Sequence, residues 1–173
     1  MTLADVDLVR QWLVEPHVAR WYLSGSTVEE ELQDLRRCIS SEEPTHALIV
    51  VDAGRAVGWC QWYRCQDYPR HAAGVGAGPE DVGLDYAVGD PAEVGRGLGT
   101  ALISMLVAHI RERHPHAGLI ADPEATNRAS SRALEKNGFL LQEERVVASE
   151  PTGAMMAIYR LPPPPRGTPA SAA

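Results

Sequence analysis

The stretch Asp85-Tyr86-Ala87-Val88-Gly89-Asp90-Pro91-Ala92-Glu93-Val94-Gly95-Arg96-Gly97-Leu98-Gly99-Thr100 sets the frame for the whole chain. It reads as the end of a strand, a turn at Asp90-Pro91, three glycines spaced Gly-x-Gly-x-Gly, and then the apolar run Ala101 to Ile110. Glycines at a strand-to-helix junction let backbone N–H groups approach an anion closely, and the helix N-terminus adds a favourable dipole. The segment therefore predicts a site for a phosphate-bearing ligand.

Three phosphate loops compete for it. A Walker loop requires a Lys after its last glycine, and no Lys lies in the segment. A dinucleotide loop, Gly-x-Gly-x-x-Gly, puts Thr100 where the last Gly or Ala belongs; Asp122 can mimic its ribose-binding acid, so this reading is weakened and stays open. The third is the pyrophosphate loop Arg/Gln-x-x-Gly-x-Gly/Ala. Residues 94 to 99 fit its glycines, with Val94 where Arg or Gln is usual.

Working outward, Val82 to Val88 alternates as a strand. Val82, Leu84, Tyr86 and Val88 share one face, and Gly83, Asp85 and Ala87 share the other. A carboxylate between two small residues leaves room for a ligand; by alternation alone, Asp85 is equally a solvent-facing acid. On the preceding strand, Ala56 to Cys65, Gln61 and Tyr63 share a face with Trp59. Asp122-Pro123 follows the short strand Ala117 to Ala121, at the kind of strand end where α/β proteins place active-site acids, although Asp-Pro is also a common turn. Asn127 is positioned to cap the helix Asn127 to Asn137, which Gly138 closes.

Elsewhere, Thr2-x-x-Asp5 resembles a capping box before a helix through Leu13, and Ser24 to Thr27 precedes a helix carrying Val28, Leu32, Leu35 and Ile39. Pro16 to Tyr22 is a short helix or turn. Pro44 to Val51 is a strand, Asp52-Ala53-Gly54-Arg55 a hairpin turn, and Asp67 to Pro79 a loop rich in Gly, Ala and Pro. Leu98, Leu102, Met105, Leu106 and Ile110 form one apolar stripe. Gln142 to Val147 and Met155 to Leu161 are strands, and Pro162 to Ala173 is a Pro-rich tail expected to be disordered. The expected fold is a single mixed-sheet α/β (α+β) domain, with parallel strands on either side of the helix that follows the glycine loop.

At 173 residues the chain is long enough for one domain with a substantial core. Its formal charge of -7 argues against a nucleic-acid partner and is compatible with a cationic substrate. Cys38, Cys60 and Cys65 are odd in number and have no Cys-x-x-Cys spacing, as expected for reduced thiols in the cytoplasm. The segment Met1 to Glu15 does not read as a signal peptide, and no apolar run reaches membrane-spanning length. His114 and His116 are half of a metal site with nothing to complete it, so no metal is expected.

The order of elements, the loop at 94 to 100 and Asn127-Arg128-Ala129-Ser130-Ser131-Arg132-Ala133-Leu134-Glu135-Lys136-Asn137-Gly138-Phe139 together resemble the GNAT superfamily of acetyl-CoA-dependent N-acetyltransferases over about residues 1 to 161. Within it, Trp12-Leu13, His17 to Trp21, Gly58-Trp59-Cys60-Gln61-Trp62-Tyr63, Gly83-Leu84-Asp85 and Asp122-Pro123 resemble the aminoglycoside 6'-N-acetyltransferases. The resemblance implies acetyl-CoA as cosubstrate, contacted at Val88, Val94, Gly95, Arg96, Gly97, Leu98, Gly99, Thr100 and Asn127. It implies Asp85 at the reacting amine and Trp21, Gln61, Tyr63 and Asp122 around a cationic aminoglycoside, in a cytoplasmic monomer or homodimer that confers drug resistance. Siderophore-type lysine acetyltransferases share the His17 to Trp21 pattern but tend to have His where this chain has Asp85. A protein N-terminus as acceptor, or a binding module without turnover, are the other readings. Leu134 stands where many relatives carry a Tyr thought to protonate the leaving thiolate.

Overall fold

A computed structural model describes residues 1–150 and 152–165. Three helices come first: α1 (Val6–Leu13), α2 (Pro16–Tyr22) and α3 (Val28–Ile39). A 3-10 turn, Leu3–Asp5, enters α1 through the Thr2/Asp5 capping box, and α3 starts with Thr27 and Glu30 capping each other's backbone. Strands β1 (His46–Asp52) and β2 (Arg55–Arg64) form a hairpin. Its two central residues, Ala53 and Gly54, both have positive φ, the geometry that matches the twist of tight hairpins.

The segment expected to be a loop, Asp67 to Pro79, instead contains α4 (Pro69–Val75). Pro69 supplies a preset first turn, and Gly76, at φ 67°, closes the helix in the left-handed region. Then follow β3 (Val82–Val88), α5 (Leu98–Arg113), β4 (Leu119–Ala121), α6 (Arg128–Lys136), β5 (Leu140–Val146) and β6 (Met155–Leu161). Helix α5 begins at Leu98, inside the glycine segment. The four tail residues 162–165 are irregular, and the expectation of disorder for 166–173 lies outside the described residues.

The six strands order as β1-β2-β3-β4-β6-β5. Only β3 and β4 are parallel, joined by the crossover through α5. They pair at Val82–Leu119 and Gly83–Ile120 alone, so the rest of β3 has no partner on that side. Asp81, just before β3, is buried; it accepts from the Gly78 N–H at 2.6 Å and pairs with Arg160.

One face of the sheet is covered by α5 and α6, which bury Leu102, Ile103, Leu106, Ile110 and Leu134 against Cys60, Trp62, Leu84 and Leu119. The stripe expected on α5 needs one correction: Met105 is 53% exposed, and Ile103 is the residue that packs inward. The other face is covered in two separate patches. Val9, Trp12, Leu13, Leu32 and Leu35 pack on Trp59 and Ala87 at one end; Val75 of α4 packs with Ile120 and Ile158 at the other. Between the patches the sheet carries polar side chains. The cysteines are free: Cys60 and Cys65 are buried and Cys38 half-buried.

Candidate active site

The polar gap follows from strand register. Gln61 lies opposite Asp85 and Tyr63 opposite Gly83 in the antiparallel pair β2–β3, so Gln61, Tyr63 and Asp85 share the face between the two patches. Gln61 Nε2 donates to Asp85 Oδ2 at 3.3 Å. The room expected over Gly83 is filled: a Cβ there would lie 2.3 Å from the Tyr63 ring, so the glycine seats an aromatic side chain, not a ligand. Ala87, the other small neighbour, packs under Trp59. Asp85 therefore sits on a floor walled by rings.

Above that floor is a cavity of about 670 Å³, with Trp21, Gln61, Tyr63, Asp85, Asp122 and Asn127 all in its lining. Seven carboxylates line it: Glu31, Asp34, Glu43, Asp85, Asp122, Glu124 and Glu150. Arg37 and His71 are the cationic side chains among its lining residues, and Arg37 is spent on Asp34 and Glu43. Burial, and then repulsion from Asp122, push the Asp85 carboxyl up to about 6. Burial also raises Asp122, opposed by His71, and keeps the Tyr63 phenol neutral.

His71 projects from α4. Its Nε2 is 3.5 Å from Asp122 Oδ1, and its Nδ1 lies 3.4 Å from Glu150 Oε1 and 3.1 Å from Ser149 Oγ. Burial alone would lower its pKa; hydrogen bonding and attraction from Asp122 and Glu150 outweigh this and hold the imidazolium up to about 10. These three are the one His/Cys/Asp/Glu group among the described residues whose ligand atoms lie within 4.8 Å of one another. His114 instead packs its edge on Trp62, away from any such group.

The glycine loop stands beyond the cavity, at the end of β3. Three residue steps of strand lead from Asp85 to Val88, about 10 Å. The Val88 carbonyl accepts from His17 Nε2 at 2.9 Å, while Gly89 and Asp90 N–H both point to the Val57 carbonyl. Two donors on one carbonyl mark a bulge, which turns the chain out of the sheet. Gly95 and Gly97 have φ of 78° and 89°, a conformation that strains any residue with a Cβ. Gly99 lies within α5 and needs no such freedom. Gly97 is the N-cap of α5 and has no side chain to cap it, so the first N–H groups, Leu98, Gly99 and Thr100 among them, face outward with no side-chain acceptor. Arg55 bridges Asp90 at 3.0 Å and Glu93 at 2.5 Å and braces the loop. Arg96 is exposed beside Glu93, and Val94 is an exposed apolar residue.

Asn127 caps α6, its side chain accepting from the Ser130 N–H at 3.1 Å. Asn137 at the other end of α6 was not singled out by sequence; it donates to Thr100 O at 3.0 Å and Ala133 O at 2.8 Å, tying α6 to the start of α5. Also missed were His71, Glu150, Glu124 and the α3-side acids. For His71 a signal existed: Pro69 and Gly76 bracket a helix. Leu134 is fully buried in the core and offers no acid.

The sheet order, the bulged end of β3 and the glycine-led helix α5 together make up the fold that the comparisons match. The chain belongs to the GNAT acetyltransferases: the family model for the acetyltransferase (GNAT) domain matches residues 2–147. It is 26% identical over 170 residues to an aminoglycoside N(6')-acetyltransferase type 1 of Klebsiella pneumoniae, covering 92% of this chain and 78% of that one. It is 28% identical over 166 residues to the lysine N-acyltransferase MbtK of Mycobacterium tuberculosis (strain ATCC 25618 / H37Rv), covering 94% and 75%. Among solved structures, the aminoglycoside acetyltransferase AAC(6')-Ib in complex with coenzyme A superposes with a TM-score of 0.74 at 22% identity, covering 94% of this chain and 91% of that one. The fold is therefore that of the GNAT enzymes. No helix among the described residues is long and apolar enough to cross a membrane.

Proposed function

We propose that residues 1–161 form an N-acetyltransferase that moves an acetyl group from acetyl-CoA to a primary amine, the 6'-amine, of a polycationic aminoglycoside, so protecting its host from the drug. The observation that carries this reading is the cavity: seven carboxylates line it against one arginine and one histidine. A site with that charge favours an acceptor with several ammonium groups and disfavours an anionic one. The relatives named above include enzymes that act on aminoglycosides and on lysine, and the number of carboxylates favours the former.

The loop fits a pyrophosphate. Its two left-handed glycines keep side chains away from the anion, and the outward N–H groups of Leu98, Gly99 and Thr100 supply donors at a helix start. Arg96 adds an exposed positive charge. Acetyl-CoA, when bound, supplies the acetyl group as an activated thioester. The Val88 N–H leaves the strand on the same side as its carbonyl, away from β2, and suits polarisation of an acyl oxygen.

Asp85 does the remaining work. Gln61 fixes one carboxylate oxygen and leaves the other to the acceptor amine. A carboxyl near 6 is ionised at neutral pH, yet is a stronger base than an exposed Asp. The amine nitrogen forms the amide bond, the C–S bond breaks, the amine proton passes to Asp85 or water, and the thiolate takes a proton from water. Leu134 has no part in that step. Trp21 and Tyr63 offer ring faces and a phenol to the sugar.

Steady-state release of CoA thiol with a panel of amines tests the reading. Kanamycin is expected to be acetylated at low concentration, with KM rising as salt is raised. Faster turnover of a siderophore lysine or a peptide N-terminus would move the protein to another GNAT branch, and tight binding without thiol release would make it a binding module.

A further inference from the structure

The carboxylates of the cavity are not equally available. At the α4 end, the His71 ring stands between Asp122 and Glu150, at 3.5 and 3.4 Å, and touches Ser149. Its contacts come from three separate segments: the end of β4, the β5–β6 connection and β2. Tyr63 packs its edge against the ring, with centroids 6.1 Å apart. At the other end, by the α2–α3 connection, Glu31 accepts from the Ser26 hydroxyl at 2.5 Å and Glu124 from the Ser24 hydroxyl at 3.4 Å. Neither is paired with a cation among the described residues.

We propose that His71 is a specificity-determining residue: its ring fills the place of a substrate ammonium between Asp122 and Glu150, so that the acceptor's further positive charges are directed to Glu31 and Glu124. The inference rests on the functional reading for the acceptor's being polycationic; the ring's hold on the two acids does not depend on it. The charge balance carries the argument. A cationic ring between two carboxylates leaves a net charge of -1 there, and an incoming ammonium must share those oxygens or displace the ring. Asp122, Glu150 and Asp85 all face the ring, and together they hold its proton well past neutrality. The acids near Ser24 and Ser26 require no such displacement. The cluster is thus already half neutralised from within the chain.

Two measurements test this. The first is binding of kanamycin and of the mono-ammonium sugar 6-amino-6-deoxyglucose, followed by tryptophan fluorescence, in the wild type, in His71→Asn and in His71→Asn with Asp122→Asn. Freeing two partly buried acids is expected to tighten kanamycin binding about fivefold, leave the mono-ammonium sugar unchanged, and lose the gain in the double variant. Unchanged or weaker kanamycin binding by a folded His71→Asn protein overturns the proposal. The second is the NMR titration of the His71 imidazole, which needs no acceptor. The ring is expected to remain protonated through pH 8 and to titrate lower in Asp122→Asn. An ordinary titration near 6.5 overturns the proposal even if acetylation is found. Absence of transfer to any amine, with the raised titration intact, overturns the functional reading instead.

Discussion

The two halves of the site are built by opposite means. The end proposed for the anion uses backbone: left-handed glycines, uncapped N–H groups and a helix start, with Arg96 exposed beside it and Arg55 bracing it. The acceptor end uses side chains: carboxylates and rings brought together from α3, β2, β3, α4, the end of β4 and the β5–β6 connection. A backbone site tolerates exchange of its side chains and fails when a glycine is lost. A side-chain site behaves the other way round.

The largest effect that sharpens this contrast is expected at Asp85. Asp85→Asn keeps the Gln61 contact and removes the charge, so kcat/KM is expected to fall on the order of 10²-fold or more while acetyl-CoA affinity holds. The wild type should show kcat/KM rising through about pH 6 as Asp85 ionises, and the variant should lack that limb. Stability should respond in the opposite sense. Because the folded-state pKa is raised, the folded form holds the Asp85 proton more strongly than the unfolded form, and this stabilisation is lost as pH rises through about 6. At pH 8 the variant should therefore melt no lower than the wild type. A retained acid limb, or near-wild-type turnover, moves the proton-handling role to Asp122 or water.

A smaller effect is expected at the backbone end. Gly97→Val puts a β-branched residue at φ 89°. Nothing lies within 4 Å of a Cβ built there, so the change strains the loop without a clash. Acetyl-CoA binding, measured by calorimetry, should weaken about tenfold from reshaped N–H directions. Unchanged affinity in a folded protein would remove the loop from the cofactor site.

The smallest effect on catalysis is expected at Leu134. Installing a phenol at this position does not place an acid at the site, because the side chain is fully buried among the α5 and α6 packing residues. Leu134→Tyr should cost about 1–3 kcal/mol in stability from overpacking, read as a lower Tm, with no gain in kcat. A gain in kcat would mean that the ring reaches the thiolate after all.

The same contrast explains what could be read in the sequence. The loop was legible because its grammar is local: strand alternation, Asp-Pro, spaced glycines, then an apolar helix. Asp85 was legible because period-2 alternation fixes its face, and β2 was placed by its hairpin. The space above Gly83 was misread because the Tyr63 ring reaches it from the neighbouring strand, and no spacing within one strand encodes that. Helix α4 was hidden by its Ala and Gly content, although Pro69 and Gly76 mark its two ends. His71, Asp122 and Glu150 meet only because three connections converge, so their grouping is a property of topology alone. Met105 was misplaced for a simpler reason: Leu102, Ile103, Leu106 and Ile110 share one arc of the helix, and Met105 falls outside it.

The buried cysteines have a practical consequence for detecting the product. Burial pushes the Cys60 and Cys65 thiols up to about 12 and raises Cys38 as well. At pH 8 a thiol near 12 is ionised to about one part in ten thousand, and only the thiolate attacks a disulfide dye. Freed coenzyme A, with an ordinary exposed thiol, reacts with such a dye while Cys60 and Cys65 of the folded protein stay nearly silent. Colour development in a native sample, above the constant contribution of half-buried Cys38, then counts turnovers, and a sudden addition of up to two equivalents per chain on heating counts molecules that have lost their fold.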